Sequence, residues 1–297
     1  MTALVEATAT AAPTRTRTLP LLDATRAELR RLLRWPVTWV LFAVWTVLNL
    51  LFGYVFDWIS YRTGDPTGPG TATPIERLLP HAVPGLLVQG MPIFGGAIVL
   101  ILGALAVGSG YGWGTWKTVL TQGPSRTAAF GGTLVALLVL VVGLLLSTVG
   151  ADLTMSSVVA AVEGRSGALP ALGDLVTSFG GGVLILGMWA AGGVLLGVLA
   201  RGPALATGLG LVWTLVVENL LRGVAGALPA IEGVTDRLPG STTGSLAGAL
   251  GAATVDQGGA PGVLDALSGA AATAWVAGYL VVCVTVSLAL VGRRDLL

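Results

Sequence analysis

Apolar residues run through this chain in six long blocks separated by more polar stretches. The blocks cover 37–56, 86–108, 128–149, 175–200, 203–221 and 269–291. Each is near the ~20 residues that a helix needs to cross a hydrocarbon core of ~30 Å. Backbone groups in lipid must be satisfied within the segment, so helix is the expected conformation. Barrel strands would appear as ~10-residue segments of alternating polarity, and these blocks do not alternate. The pattern predicts an all-α membrane protein with six transmembrane helices. Residues 1–19 are expected to form a disordered tail and residues 20–297 a single six-span domain. Only the fifth block carries a charge, Glu218.

Between the tail and the first block lies "PLLDATRAELRRLLRWP", residues 20–36. At 100° per residue, Leu21, Leu22, Leu29, Leu32, Leu33 and Trp35 fall on one side of a helix, and Asp23, Arg26, Arg30 and Arg34 on the other. Arg31 completes the basic set. This predicts an amphipathic helix lying in the membrane interface, after which Pro36 turns the chain into the first span. Glu28 breaks the pattern. It sits on the apolar side, within reach of a neighbouring arginine or a partner protein. A plain basic anchor is the simpler reading of the same segment.

Arginine placement sets the expected orientation. With the N-terminus in the cytoplasm, that side holds Arg15, Arg17, Arg26, Arg30, Arg31, Arg34, Lys117, Arg126, Arg201, Arg293 and Arg294. The outer side holds Arg62, Arg77, Arg165, Arg222 and Arg237. Eleven against five puts both termini inside. The outer loops are then 57–85, 150–174 and 222–268. The last contains "GVAGALPAI" and "GSLAGALGAA", which are too short to span. They fit a re-entrant or interfacial helix and a flexible Gly/Ala-rich loop equally well. The one sizeable cytoplasmic loop, "SGYGWGTWKTVLTQGPSR" at 109–126, brings together Tyr111, Trp113, Trp116, Lys117 and Arg126. Thr115–Thr121 is expected to form one or two helical turns. Such a loop suits protein docking, because Trp and Tyr supply rigid contact area. It also suits an aromatic belt at the membrane interface.

Composition supports the membrane reading and narrows the chemistry. Hydrophobic residues make up 54% and charged residues only 10%, against about 25% charged in soluble domains. The net charge of +1 gives no pull toward nucleic acid. The single cysteine, Cys283, excludes an intramolecular disulfide and any Cys-rich metal site. The single histidine, His81, falls in an outer loop, so a metalloprotease would lack its ligands. An intramembrane serine protease needs a G-x-S-G turn and a membrane histidine; here "VGSG" at 107–110 has valine in the first position. The polar tail, followed by a basic segment without a small-residue cleavage site, does not read as a secretory signal.

The basic helix "RAELRRLLR", the stretch "ALAVGSGYGWGTWKTVLTQGPSR" closing the second span, and "GRRDL" at 292–296 together resemble the type-2 ATP-binding-cassette (ABC) transporter permeases. These are membrane subunits of bacterial exporters. The resemblance covers the whole chain by topology and about 20–36, 103–126 and 292–296 by motif. It implies a permease in the bacterial cell membrane that is not itself an enzyme. Such a chain carries no cofactor: ATP and Mg²⁺ belong to a separate ATP-binding subunit, in two copies, alongside a second permease chain, a homodimer being expected. The ATPase would dock on Tyr111, Trp113, Thr115, Trp116, Lys117 and Arg126, with the interfacial helix (Arg26, Glu28, Arg30, Arg31, Arg34, Trp35) beside it. The absence of a G-x-x-x-x-G-K-[ST] loop agrees. A non-transporting scaffold, sensor or assembly factor and an ATP-independent carrier or channel are the alternatives.

Polar residues within the spans are few. Glu218 and Asn219 lie late in the fifth, with Arg222 at i+4 from Glu218, where an ion pair is easy. Asn49 and Gln89 are further candidates for lining a pathway. Proton-coupled carriers bury several carboxylates, and only Glu218 falls within a block. "GVLLG" at 193–197 has the small-xxx-small spacing that lets helices approach closely in lipid.

Overall fold

A computed structural model describes residues 20–63, 75–121 and 125–293. The described residues form helices and turns with no strand. Six helices are long and apolar enough to cross a membrane: Pro36–Thr63, Met91–Gly112, Arg126–Val162, Leu172–Ala200, Pro203–Ala225 and Gly269–Arg293. They are spans one to six below. The amphipathic helix Pro20–Arg34 precedes them. The tail at 1–19, the outer segment 64–74, residues 122–124 of "QGPSR" and residues 294–297, which include the last three of "GRRDL", lie outside the described residues.

The second span is the most enclosed of the six and the sixth the least. The second packs chiefly on the fourth, along a seam of small residues. A side chain at Gly193 would run into the carbonyl of Leu100, and one at Gly103 into that of Ala190. Gly197, the other glycine of "GVLLG", faces Ala104 and Gly108. Without a hydrophobic drive between helices in lipid, such backbone approach is what holds spans together. Trp45, Met91, Leu144, Leu145, Ile185 and Leu186 fill the space around this seam.

Several boundaries differ from expectation, two of them most. The third span does not stop at 149. Ser125 caps its start by accepting a hydrogen bond from the Ala128 N–H, and the helix runs unbroken through 37 residues to Val162. At 1.5 Å per residue it is about 55 Å long and outruns the hydrocarbon. The loop expected at 150–174 therefore shrinks to 163–171. The first helical span likewise continues to Thr63. Consequently Asp57, Arg62 and Asp152 lie on spans, and Glu218 is not the only charged residue there.

Three spans contain one π turn each: Leu51–Val55, Met91–Gly95 and Trp213–Val217. In the second span Pro92 accounts for the break, since it has no N–H to return to the preceding turn. The Phe94 and Gly95 N–H groups both donate to the Gly90 carbonyl instead, each at 3.1 Å. The spans four and five are joined by a tight turn in which Arg201 takes the left-handed conformation, φ 51°.

The long connection 222–268 is ordered. Pro239–Ala249 is a helix, and its residues Ser241, Thr242, Thr243, Gly244, Ser245, Leu246 and Ala247 are all buried. It packs on spans four and six and on the π turn of the second. The chain then returns to it, with the Leu264 N–H donating to the Gly244 carbonyl at 3.2 Å. Of the two readings open for this loop, helix rather than flexible loop is what most of "GSLAGALGAA" forms.

Candidate functional site

One end of the bundle gathers the amphipathic helix, the short helix Thr115–Thr121, and the start of the third span. The last helical residues lie there too: Leu32, Phe130, Val107, Val198 and Val291 share one apolar cluster. The amphipathic helix lies along the third span, with Thr25 and Leu32 buried. Leu21, Leu22 and Leu33 stay exposed, so only part of the apolar side meets the bundle. Glu28 is on the bundle side for a reason. It pairs with Arg31, whose Nη2 donates to the Ala106 carbonyl of the second span at 2.7 Å. The Arg31 guanidinium lies 4.6 Å over the Trp35 ring, and Trp35 meets Trp113 edge-on at 5.9 Å. A chain of contacts thus ties the basic helix to the aromatic loop. Arg26, Arg30 and Arg34 are left exposed beside it.

The expected docking residues divide. Trp113 is 70% exposed. Trp116 turns inward, tilted against Tyr111 and Phe130 at 6.1 Å each, and its Nε1 donates to the Val107 carbonyl at 3.3 Å. Thr115 opens the short helix, Lys117 is its third residue, and Arg126 is the first residue of the third span. Trp113 thus sits at the surface, while Trp116 braces the loop from beneath.

A second site, between the first and third spans, was missed in the sequence. Thr148, Asp152 and Ser156 follow one another at i, i+4 and i+8 on the third span, and all three are buried. Rungs from the first span meet them. The Trp45 Nε1 donates to Thr148 Oγ1 at 2.8 Å. The Asn49 Nδ2 donates to Asp152 Oδ1 at 2.7 Å. The Tyr54 hydroxyl donates to the Asp152 backbone carbonyl at 3.0 Å. A regular helix would put residue 52 or 53 on the third rung. The π turn Leu51–Val55 inserts one residue and brings Tyr54 there. Asp152 Oδ2 is buried without a hydrogen-bond partner. The i+4 polar spacing across 148, 152 and 156 is the signal that would have found it. Gln89 lies nearby, lining with Asn49 a small cavity bounded also by Trp45, Phe52, Gly53 and Phe94.

Glu218 plays a third part. It is buried, one residue past the π turn Trp213–Val217. It accepts from the Trp213 Nε1 at 2.6 Å and from the Gly240 N–H at 2.7 Å. Gly240 is in the first turn of the loop helix Pro239–Ala249, whose N-terminal N–H groups favour an anion. The ion pair expected with Arg222 is not made. Arg222 donates to Asn219 Oδ1 at 2.6 Å, and Asn219 donates back to the Leu215 carbonyl at 2.9 Å. The Trp213 indole and the loop helix each supply one donor to the carboxylate.

His81 is exposed in a short turn, Pro80–Ala82. Among the described residues, no group of three or more His, Cys, Asp or Glu side chains is placed to hold a metal ion. Compared with family models and with curated proteins, the chain matches none.

Proposed function

We propose that this multi-pass membrane protein is the permease subunit of an ABC exporter in a bacterial cell membrane. Two copies of a separate ATP-binding subunit would drive it, and a second permease chain, a copy of this one, would complete the pathway. The resemblance in the sequence motivates this reading. The observation that supports it is the Glu28–Arg31–Trp35–Trp113 chain of contacts. It joins a basic helix, an exposed tryptophan and the end of the most enclosed span into one unit. A partner that pushes on Trp113 and the Thr115–Thr121 helix would move the amphipathic helix and the second span together. ATP binding to that partner would then bias a two-state arrangement of the spans.

Co-purification in mild detergent tests it. The wild type is expected to retain an ATP-binding subunit with nucleotide-dependent ATPase activity. Trp113→Ala with Lys117→Ala is expected to lose the subunit while leaving the permease folded. Trp116→Ala is a poorer choice, because that ring supports the loop. A wild type that retains no ATPase would overturn the proposal, as would transport in vesicles that proceeds without nucleotide.

A further inference from the structure

The carboxyl of Asp152 is short of donors. Ionised, it offers about four lone-pair positions. Of the polar groups around it, the Trp45 N–H is taken by Thr148 and the Tyr54 hydroxyl by the backbone carbonyl of Asp152 itself. Only the Asn49 amide reaches the carboxyl, at Oδ1. The residue has no exposed surface, and Oδ2 has no partner. An ionised carboxylate in such a place is costly unless paired with a cation and fully hydrogen-bonded.

The groups facing it are neutral. On the first span they are Trp45, Asn49 and Tyr54, and on the third Thr148 and Ser156. Gln89, ahead of the second span, faces the adjoining cavity. Charged groups begin farther along, at Asp57, which feels Arg77, and at the Arg62–Glu163 pair, 3.2 Å apart. Asn49 lies 13 residues along the first span from Pro36, about 20 Å at 1.5 Å per residue, which is well inside a ~30 Å hydrocarbon core. The cavity against Asn49 has room for about one water, at ≈ 10 Å³.

We propose that Asp152 is a proton-binding site within the membrane. It holds a proton on Oδ2 while the first and third spans are joined by Asn49 and Tyr54, and gives that proton to water when the rungs separate. On release the Oδ2–H bond breaks, the pair stays on the carboxylate, and the proton leaves on water. The span movement is thereby linked to pH. The π turn Leu51–Val55 is the element that shifts, since it sets that Tyr54 reaches the Asp152 backbone carbonyl. The site stands on the ladder alone and is independent of any ATP-binding partner.

Dicyclohexylcarbodiimide, an apolar reagent that adds to protonated carboxyls, tests this on the full chain in lipid vesicles. Mass spectrometry should find the adduct on the peptide containing Asp152. Labelling should fall about tenfold per pH unit beyond the midpoint of titration. Glu218, whose oxygens already accept two N–H groups, should label more slowly. Infrared spectroscopy supplies an answer that needs no reagent access: a carboxylic-acid C=O band that is absent in Asp152→Asn and retained in Asp152→Glu. Labelling that does not depend on pH, or an infrared spectrum unchanged by Asp152→Asn, would overturn the proposal. Protection by sodium but not choline at fixed pH would also overturn it, in favour of a metal-cation site.

Discussion

Glu218 shows how a single residue can look like one thing in sequence and be another in the fold. Its i+4 spacing to Arg222 invites an ion pair, yet the carboxylate is spent on the Trp213 and Gly240 N–H groups. One of these partners, Gly240, is 22 residues away, a distance at which no spacing rule operates. Gln at this position has one acceptor oxygen for two donors, so one N–H is left buried and unpaired. Glu218→Gln is expected to cost about 1–3 kcal/mol, read as a lower Tm and as faster proteolysis within 222–268. Wild-type Tm and proteolysis in that variant would show that the loop helix does not lean on Glu218. Asn49 and Gln89 were legible as polar residues within apolar blocks. Asp152 was not, because hydropathy falls off at Thr148 and the apolar block ends at 149. Only the buried face at 148, 152 and 156 shows that the helix continues as bundle.

At the scale of elements, the six spans and the amphipathic helix follow from period and length, and the short helix Thr115–Thr121 lies where its sequence suggests. The three π turns do not follow. Pro92 hints at one, but Leu51–Val55 and Trp213–Val217 contain no proline, and what favours them is the packing of Tyr54 and Glu218 on other segments. The loop helix was only half legible, standing level with a flexible loop, for a related reason. Its Ser, Thr and Gly residues read as loop, yet small hydroxyl side chains can bond their own helix backbone, as Ser245 does to the Ser241 carbonyl at 2.9 Å. The glycine seam, by contrast, was legible in "GVLLG", and it makes a sharp prediction. In Gly193→Leu the new side chain meets the backbone of Leu100, which cannot rotate away. The cost is expected to reach or exceed the ~1–3 kcal/mol of ordinary overpacking. Gly192→Leu, one residue away, faces open space and is expected to fold normally. The two variants should separate clearly in monodisperse yield by size-exclusion chromatography. Equal yields would mean that the second and fourth spans are not held by this contact.

Over the whole molecule, six crossings place the amphipathic helix and the end of the sixth span at one end of the bundle, where Leu32 and Val291 share a cluster. Which side of the membrane that end occupies follows from the distribution of charge. The end carries exposed Arg26, Arg30 and Arg34 together with Arg31, Arg126, Arg201 and Arg293. The other carries Arg62, Arg77, Arg165, Arg222 and Arg237, of which Arg62 is paired with Glu163. Lys and Arg near span ends are retained on the cytoplasmic side, and the short connections at the first end make the rule applicable there. Thr118 on that end and Asp256 on the other are both exposed. In a Cys283→Ala background, Asp256→Cys is expected to react with a membrane-impermeant maleimide in intact cells. Thr118→Cys is expected to react only after the membrane is opened. The reverse pattern would place the basic helix, Trp113 and the Thr115–Thr121 helix outside, beyond the reach of any cytoplasmic ATPase. Labelling from both sides would mean that the charge bias is too weak to hold one orientation.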